Sequence, residues 1–185
     1  MDKYTFTTKL HEVCASDPIR PVFSCVHFMN GFACAMDGHI AVRQSLEYHS
    51  VINPEILDGK SLHKDNYKAI MGFEFAEANE DGIQCKDTDG RTAFFEYFDM
   101  KDQQQPDFDK TFNSATSKGV KSVHFIGFNP TGLVKLSKAL YCPQGNIRCR
   151  FTGIDTPILV DAIGIENQEA IIMPVILEDS LFNNQ

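Results

Sequence analysis

The sequence has no apolar run near the ~18 residues that a membrane-spanning helix requires. From Met1 it passes directly into alternating polar and apolar residues, so the apolar core of a signal peptide is also missing. These two absences predict a cytoplasmic protein with no membrane partner. Its 185 residues are enough for one or two domains, and an apolar fraction of 43% is typical of a globular chain.

Short motifs of common catalytic and metal sites are absent too. The sequence has no G-x-S-x-G, G-x-x-x-x-G-K or G-x-G-x-x-G segment, and its six histidines form no H-x-x-x-H pair. The six cysteines form no C-x-x-C pair and lie mostly in apolar runs, which predicts reduced core residues. We therefore expect no catalytic residue, no metal and no cofactor. A Cys–His pair that meets only in the folded chain is the remaining alternative.

Basic residues are scarce relative to acidic ones. Lys and Arg number 17 against 25 Asp and Glu, which gives a formal net charge of −8. A chain this acidic does not bind nucleic acid through its whole surface. A local basic stripe is still compatible with this composition, so the positions of the lysines matter more than their number.

The dominant pattern is the period-two alternation of half-buried β-strands. Asn-Gly and Asp-Gly pairs at 30–31, 37–38, 81–82 and 89–90 mark turns between the strands. Strands are predicted at Pro21–Phe28, Phe32–Met36, His39–Gln44, Phe73–Ala78, Gly82–Lys86, Thr92–Phe98, Ile147–Phe151, Ile158–Ile163 and Glu169–Leu177. Helical spacing of apolar residues predicts three helices, at Thr8–Ala15, Asp65–Phe73 and Pro130–Leu140.

These elements repeat in the order strand, short helix, three strands. The three units cover about Lys3–Glu47, Val51–Met100 and Val120–Leu177. The polar stretch Lys101–Gly119 separates units two and three and is predicted to be a connector. Helices packed on one face of antiparallel sheets predict an α+β fold.

Two segments carry a resemblance to a known family. R-P-V-F-S-C-V-H-F-M-N-G-F-A-C-A-M-D-G-H-I-A-V, at 20–42, resembles the segment of the bacterial DNA polymerase III β sliding clamp that ends in T-D-G-H-R-L. I-G-F-N-P-T-G-L-V-K-L-S-K-A-L at 126–140, with A-I-I-M-P-V-I-L at 170–177, is similar to the final half-domain of that clamp. Pro106-Asp107-Phe108 resembles the connector that follows a clamp domain.

The resemblance implies a DNA-clamp-like fold, with helices lining a DNA-sized hole and sheets outside. It divides the chain into a complete clamp-like domain at 1–105, a connector at 106–119, a third half-unit at 120–177 and a flexible tail at 178–185. Full clamps carry three domains per chain, so this chain is expected to be a reduced relative. An unpaired half-unit exposes sheet edges and an apolar helix face, so we expect it to pack unusually on the first domain or to pair with a second copy as a homo-oligomer.

The resemblance also implies non-sequence-specific contact with double-stranded DNA through helix lysines. The predicted DNA-binding residues are Lys9, Lys64, Lys68, Lys135 and Lys138. Segment 129–142 carries two of them and no acidic residue. Solvated lysines without a ligand are the alternative interpretation, and Glu12 and Asp65 weaken the basic character of these helices.

In the clamp family, the D-G-H segment and the C-terminal M-P-M segment line a cleft for peptide motifs of polymerases and clamp loaders. The matching positions are Gly38, His39, Ile40, Ile172, Met173, Pro174 and Val175. Met beside apolar residues suits an adaptable pocket. Ile40 stands where the family has Arg, and M-P-V-I-L has also lost an Arg, so the polar part of the pocket differs. A plain hairpin turn and a buried strand are the alternative.

The tail contains Asp179-Ser180-Leu181-Phe182, which looks like the peptides that clamp partners insert. It is either a self-docking segment or a disordered terminus. The sequence thus predicts a non-enzymatic sliding-clamp-like replication accessory protein. The alternative is a clamp-fold peptide-binding or assembly module that does not encircle DNA.

Overall fold

The computed structural model describes residues 3–17, 19–100, 103–116 and 126–175. The strands of this part are β1 Cys25–Met29, β2 Phe32–Met36, β3 Ile40–Ser45, β4 Ser61–His63, β5 Phe75–Ala78, β6 Gly82–Lys86, β7 Thr92–Glu96, β8 Gly127–Phe128, β9 Ile147–Arg150, β10 Ile158–Ala162, β11 Gln168–Ile172 and β12 Pro174–Val175. The α-helices are α1 Lys64–Ile70, α2 Phe108–Thr116 and α3 Pro130–Ala139. Short 3₁₀ turns occupy Leu10–Glu12, Pro21–Ser24, Leu46–Tyr48 and Pro54–Leu57.

The main sheet has seven antiparallel strands in the order β4-β1-β2-β3-β11-β10-β9. Strands β3 and β11 pair with Ile40 opposite Ile172, which joins the strands of unit one to those of unit three. At this seam the buried Gln44 donates through Nε2 to Gln168 Oε1 at 2.8 Å. Strands β5, β6 and β7 of unit two form a separate sheet, and β8 pairs with β12. The predicted α+β architecture of helices on antiparallel sheets is confirmed.

Units one and two exchange their first segments. Tyr4, at the start of unit one, forms a parallel bridge with Phe75 of β5. In return, β4 at the start of unit two pairs with β1 of unit one. The two sheets are therefore tied together by chain crossing in both directions.

Turn chemistry explains the β1–β2 hairpin. Asn30 has a φ of 51° and Gly31 a φ of 79°, the left-handed pair that a two-residue hairpin loop requires. Asn and Gly adopt this conformation at low cost. The two-residue loop sets the register in which β1 and β2 pair.

One face of the sheet carries α1, α3 and the 3₁₀ turn Leu10–Glu12, which pack over the main core. The rings of Phe6 and Tyr67 stack there with centroids 4.2 Å apart. The Tyr67 hydroxyl donates to the carbonyl of Thr8 at 3.2 Å, and the Lys9 amide donates to the carbonyl of Lys138 at 3.1 Å. The three helical segments therefore form one layer on a common side of the sheet.

The opposite face of the sheet carries α2, which lies inside the predicted connector. Phe108 and Phe112 are 1% and 2% exposed because they pack on a second apolar cluster. That cluster includes Cys34, Met36, Ala41, Ala115, Leu159 and Ile171. The polar composition of Lys101–Gly119 concealed this helix, since its buried face consists of only a few apolar residues.

Some predicted elements need correction. The helix predicted at Thr8–Ala15 is a 3₁₀ turn at Leu10–Glu12, and the strand predicted from Pro21 begins only at Cys25, after a 3₁₀ turn. The last predicted strand is interrupted at Met173, next to Pro174, which has no amide to donate to a ladder. The domain limits at 1–105, 106–119 and 120–177 stay a prediction, and the tail at 178–185 lies outside the described residues.

Candidate functional site

A groove of about 260 Å³ lies where the N-terminus of α3 meets the ends of β3 and β11. The groove is lined by Asp37, His39, Ile40, Asn129, Thr131, Gly132, Lys135, Ile172, Met173, Pro174 and Val175. Six of the seven predicted pocket residues are among them. The structure thus brings together two segments of the chain that lie about 130 residues apart in the sequence.

Local hydrogen bonds fix one wall of this groove. Asp37 Oδ1 accepts from the amides of His39 and Ile40, each at 2.9 Å, which closes the turn before β3. The Met173 amide donates to the His39 carbonyl at 2.8 Å. Because this hydrogen bond holds the two backbones together, the side chains of the D-G-H and M-P segments meet at one end of the seam.

Helix α3 forms the other wall and approaches the sheet closely at Gly132. A Cβ at this position would lie 2.9 Å from Ile172 Cδ1 and 3.0 Å from Ile40 Cγ2. Asn129 caps the helix by accepting from the Thr131 amide at 3.0 Å. The Asn-Pro start of α3 was visible in the sequence, but its position over the groove depends on the pairing of β3 with β11.

The groove has a buried floor and an exposed apolar rim. Ile40 and Ile172 are 3% and 2% exposed, whereas Met173 and Val175 are 39% and 48% exposed. An exposed Met beside an apolar floor provides an adaptable contact surface for another apolar group. Gly38 does not line this groove; its φ of +91° serves the turn, and it faces a neighbouring cavity.

Three of the five predicted DNA-binding lysines are engaged within the molecule. Lys64 Nζ donates to the carbonyl of Ala15 at 2.9 Å and to Ser16 Oγ. Lys135 Nζ lies 3.3 Å from Asp37 Oδ2. Lys64 bends back to the loop after the 3₁₀ turn and Lys135 lines the groove, so both ammonium groups already have a partner within the molecule. Contact of these two lysines with DNA stays a prediction.

The remaining lysines lie on the helical layer. Lys138 Nζ is 2.9 Å from Glu12 Oε2, and this contact lowers the pKa of Glu12. Lys9 and Lys68 are exposed and make no ion pair with any described residue. Burial lowers the pKa of His11; the charge of Glu12 opposes this shift, and the charges of Lys68 and Lys9 add to it. Lys9, Lys68 and Lys138 thus surround one small area of the layer, although Glu12 neutralises part of its charge.

The described residues contain no group of three His, Cys, Asp or Glu side chains placed to hold a metal ion. All six cysteines are free thiols, and Cys14, Cys25, Cys34 and Cys85 are buried. Burial raises the pKa of Cys25 and of Cys34 to about 12, so both are protonated and inert at neutral pH.

Within the described residues, no helix is long and apolar enough to cross a membrane.

No protein-family model matches the sequence, and no curated protein matches it. Solved structures do match. A DNA polymerase sliding clamp from Pseudomonas aeruginosa aligns with a TM-score of 0.60 and 12% identity, over 92% of this chain and 64% of that one. The DNA polymerase III β chain of Streptococcus pneumoniae aligns with a TM-score of 0.61 and 15% identity, over 96% and 66%.

A third match is the DnaN sliding clamp of Bartonella birtlesii bound to griselimycin, with a TM-score of 0.59 and 14% identity over 91% of this chain and 63% of that one. This chain spans a little under two thirds of the length of these clamps. Across more than nine tenths of its residues, it has the fold of the bacterial DNA polymerase III β sliding clamps.

Proposed function

We propose that this chain is a non-catalytic, sliding-clamp-like accessory protein whose main site is the groove at Met173–Pro174. The observation that supports this proposal is the convergence of the D-G-H and M-P segments on one apolar-floored cavity at the β3–β11 seam. Ligand pockets for small molecules usually measure about 300–1,000 Å³. A groove of about 260 Å³ with an open rim suits one or two apolar side chains of a peptide.

A binding titration tests the groove. The probe is a fluorescein-labelled Asp-Ser-Leu-Phe peptide, the sequence of residues 179–182, followed by anisotropy. Met173→Lys should weaken binding about tenfold or more, because it places a charge on the apolar rim. Ile163→Lys is the matched control, since Ile163 is 51% exposed and lies outside the groove. This variant should bind the labelled peptide with unchanged affinity.

The tail at 178–185 supplies a competing segment. If it docks in the groove of its own chain, removing it should raise the affinity for the labelled peptide, because a tethered copy acts at a high local concentration. Unchanged affinity would reject self-docking. Failure of both the full and the shortened chain to bind the peptide would reject the groove as a peptide site.

DNA contact is the second part of the proposal, and the common side of the three helical segments favours it. Lys9, Lys68 and Lys138 lie on this layer, and about three phosphate contacts imply a slope near −3 in log K against log salt. Binding that weak requires encirclement rather than affinity to retain the protein on DNA.

Retention on nicked circular DNA and on linear DNA, at two salt concentrations, tests encirclement. A ring is retained on the circle and lost from the linear ends. The double variant Lys9→Glu/Lys68→Glu should lose retention, whereas Lys135→Gln should keep it because Lys135 lines the groove. If the unmodified chain is retained on neither DNA, the alternative holds, and the chain is a clamp-fold peptide-binding module that does not encircle DNA.

We also propose a homo-oligomer formed by edge strands. Among the described strands, β7 and β9 each pair on one side only. Their inward residues, Phe95 on β7 and Cys149 on β9, are only partly buried against the core. On the outer face β9 carries Arg148 and Arg150, which share Asp161, while β7 carries Glu96 and the 48% exposed Phe94. Opposite charges favour β9-to-β7 pairing over β9-to-β9 pairing.

Mixing two blocked variants separates these arrangements. Glu96→Lys blocks the β7 edge and Arg150→Glu blocks the β9 edge, so each variant alone should stay monomeric by light scattering. An equimolar mixture should give dimers, since each chain keeps one intact edge. Self-association of Glu96→Lys alone, with no further dimer formed when Arg150→Glu is added, would instead indicate the isologous β9 pair. A cytoplasmic location remains part of this proposal.

A further inference from the structure

A cavity of about 500 Å³ lies at the end of the β3–β11 seam opposite to the groove. It is found where β3 ends at Ser45 and where the turn at Asn167 leads into β11, whereas the groove lies beside Ile40 and Ile172. Among the described residues, the cavity and the groove share no lining residue. Its volume is within the range of about 300–1,000 Å³ that is usual for small-molecule sites. The cavity is therefore a candidate ligand site that is separate from the groove.

A buried histidine with an unused hydrogen-bond donor lines this cavity. His49 is 7% exposed and packs edge-on against the Phe6 ring, with ring centroids 5.5 Å apart. The Thr7 amide donates to His49 Nδ1 at 3.3 Å. Burial lowers the pKa of His49 to about 3, so the ring is neutral, and its proton is on Nε2 because Nδ1 is an acceptor. Nε2 is buried and donates to no described residue. A ligand that brings an acceptor atom to Nε2 satisfies a donor that the chain leaves unpaired.

The rim of the cavity carries two carboxylates without a partner. Glu47 and Glu55 are exposed, and neither carboxylate forms a hydrogen bond or an ion pair with any described residue. No Lys or Arg is found among the described lining residues. The apolar part of the lining is formed by Phe32, Leu46 and Pro54. The rim therefore favours a cation, and the apolar walls favour an apolar body attached to that cation.

We propose that this cavity binds an organic amine with an aromatic body and a hydrogen-bond acceptor at the end far from the amine. The acceptor receives the Nε2–H of His49, the aromatic body packs on the apolar walls, and the ammonium group pairs with the two glutamates at the rim. A Lys or Arg side chain entering head first is disfavoured, because it brings only donors to the buried end, where His49 already presents a donor. This site depends neither on peptide binding in the groove nor on contact with DNA.

Three related small molecules test the site on the unmodified full-length chain. Tyramine is the probe, since it carries a phenol oxygen, an aromatic ring and an ammonium group. Tyrosol has a hydroxyl in place of the ammonium group, and phenethylamine lacks the phenol oxygen. Nuclear magnetic resonance shift titrations of the isotope-labelled chain measure the three affinities.

Tyramine should bind about fivefold or more tightly than tyrosol, because only tyramine forms charge-assisted hydrogen bonds with the glutamates. High salt should reduce this difference. Tyramine should also bind about threefold or more tightly than phenethylamine, because only tyramine offers an acceptor to His49. Equal affinities in either comparison would overturn the proposal, and tyramine that gives no saturable shifts would refute the cavity as a site for this class of ligand.

A pair of double variants assigns the binding to this cavity. Glu47→Gln/Glu55→Gln should remove the preference for tyramine over tyrosol and leave the affinity for tyrosol unchanged. Asp81→Asn/Asp89→Asn is the matched control, since it also removes two exposed carboxylates, but in turns of the separate β5–β6–β7 sheet where Asn-Gly serves as well as Asp-Gly. The control should keep the preference. A preference that survives the Glu47/Glu55 double variant would overturn the proposed amine site.

Discussion

Replacing Phe112 by Ala tests whether α2 is a structural part of the fold. The Phe112 ring is 2% exposed and packs on the outer face of the sheet, against strands from both sides of the β3–β11 seam. The guanidinium of Arg43, on β3, lies 5.1 Å from the centroid of this ring. Arg43 also pairs with Asp109 of α2 and Glu169 of β11. The helix therefore spans the junction of units one and three.

Truncating a buried Phe to Ala costs about 3–5 kcal/mol through lost transfer energy and the cavity left behind. A protein of this size has about 5–15 kcal/mol of total stability, so Phe112→Ala should remove a large part of it. The ion pair contributes far less, because Asp109 is 69% exposed. Asp109→Asn should cost at most about 1 kcal/mol.

Urea unfolding monitored by circular dichroism measures these differences. Phe94→Ala is the matched control: Phe94 is 48% exposed on the edge strand β7, so its loss should change the free energy of unfolding by about 0.5 kcal/mol. A cost below about 1 kcal/mol for Phe112→Ala, similar to that of the control, would refute the packing of α2 on the seam.

Three further predictions follow from other contacts. Burial lowers the pKa of His27 to about 4 from 6.5 in the unfolded chain, so stability should be lost as the pH falls from about 6.5 to about 4; His27→Gln should flatten this loss in urea titrations at each pH. Glu12→Gln removes the ion-pair partner of Lys138 and should raise retention on nicked circular DNA, whereas Lys138→Gln should lower it. The opposite order would contradict DNA contact through the lysines of the helical layer. Gly132→Val crowds Ile172 and Ile40 and should cost about 1–3 kcal/mol in urea unfolding, unlike Ser137→Val on the exposed face of α3.

The sequence allowed the strands and turns to be predicted because their signals are local. β2 and β6 have the predicted bounds, and the Asn30-Gly31 pair has the backbone angles that its residue types favour. Helix α2 was not predicted because its two phenylalanines lie in a polar segment. The pairing of β3 with β11 depends on contacts between units, which no local pattern encodes.

The groove could be predicted only through the resemblance to the clamp family. Composition and spacing gave no reason to place His39 beside Met173. The contacts of the lysine side chains could not be predicted from the sequence. A lysine opposite an apolar helix face has the same sequence pattern whether its ammonium group faces solvent or pairs with a carboxylate. The Lys135 ammonium forms an ion pair with Asp37, and the position of Asp37 depends on the turn before β3.

The exchange of first segments between units one and two limits how this polypeptide can be divided. A fragment ending near residue 50 keeps Tyr4 but loses its partner strand β5, and a fragment beginning there keeps β4 but loses β1. Neither piece retains a full set of backbone partners, so each should be unstable alone and the two should fold only when mixed.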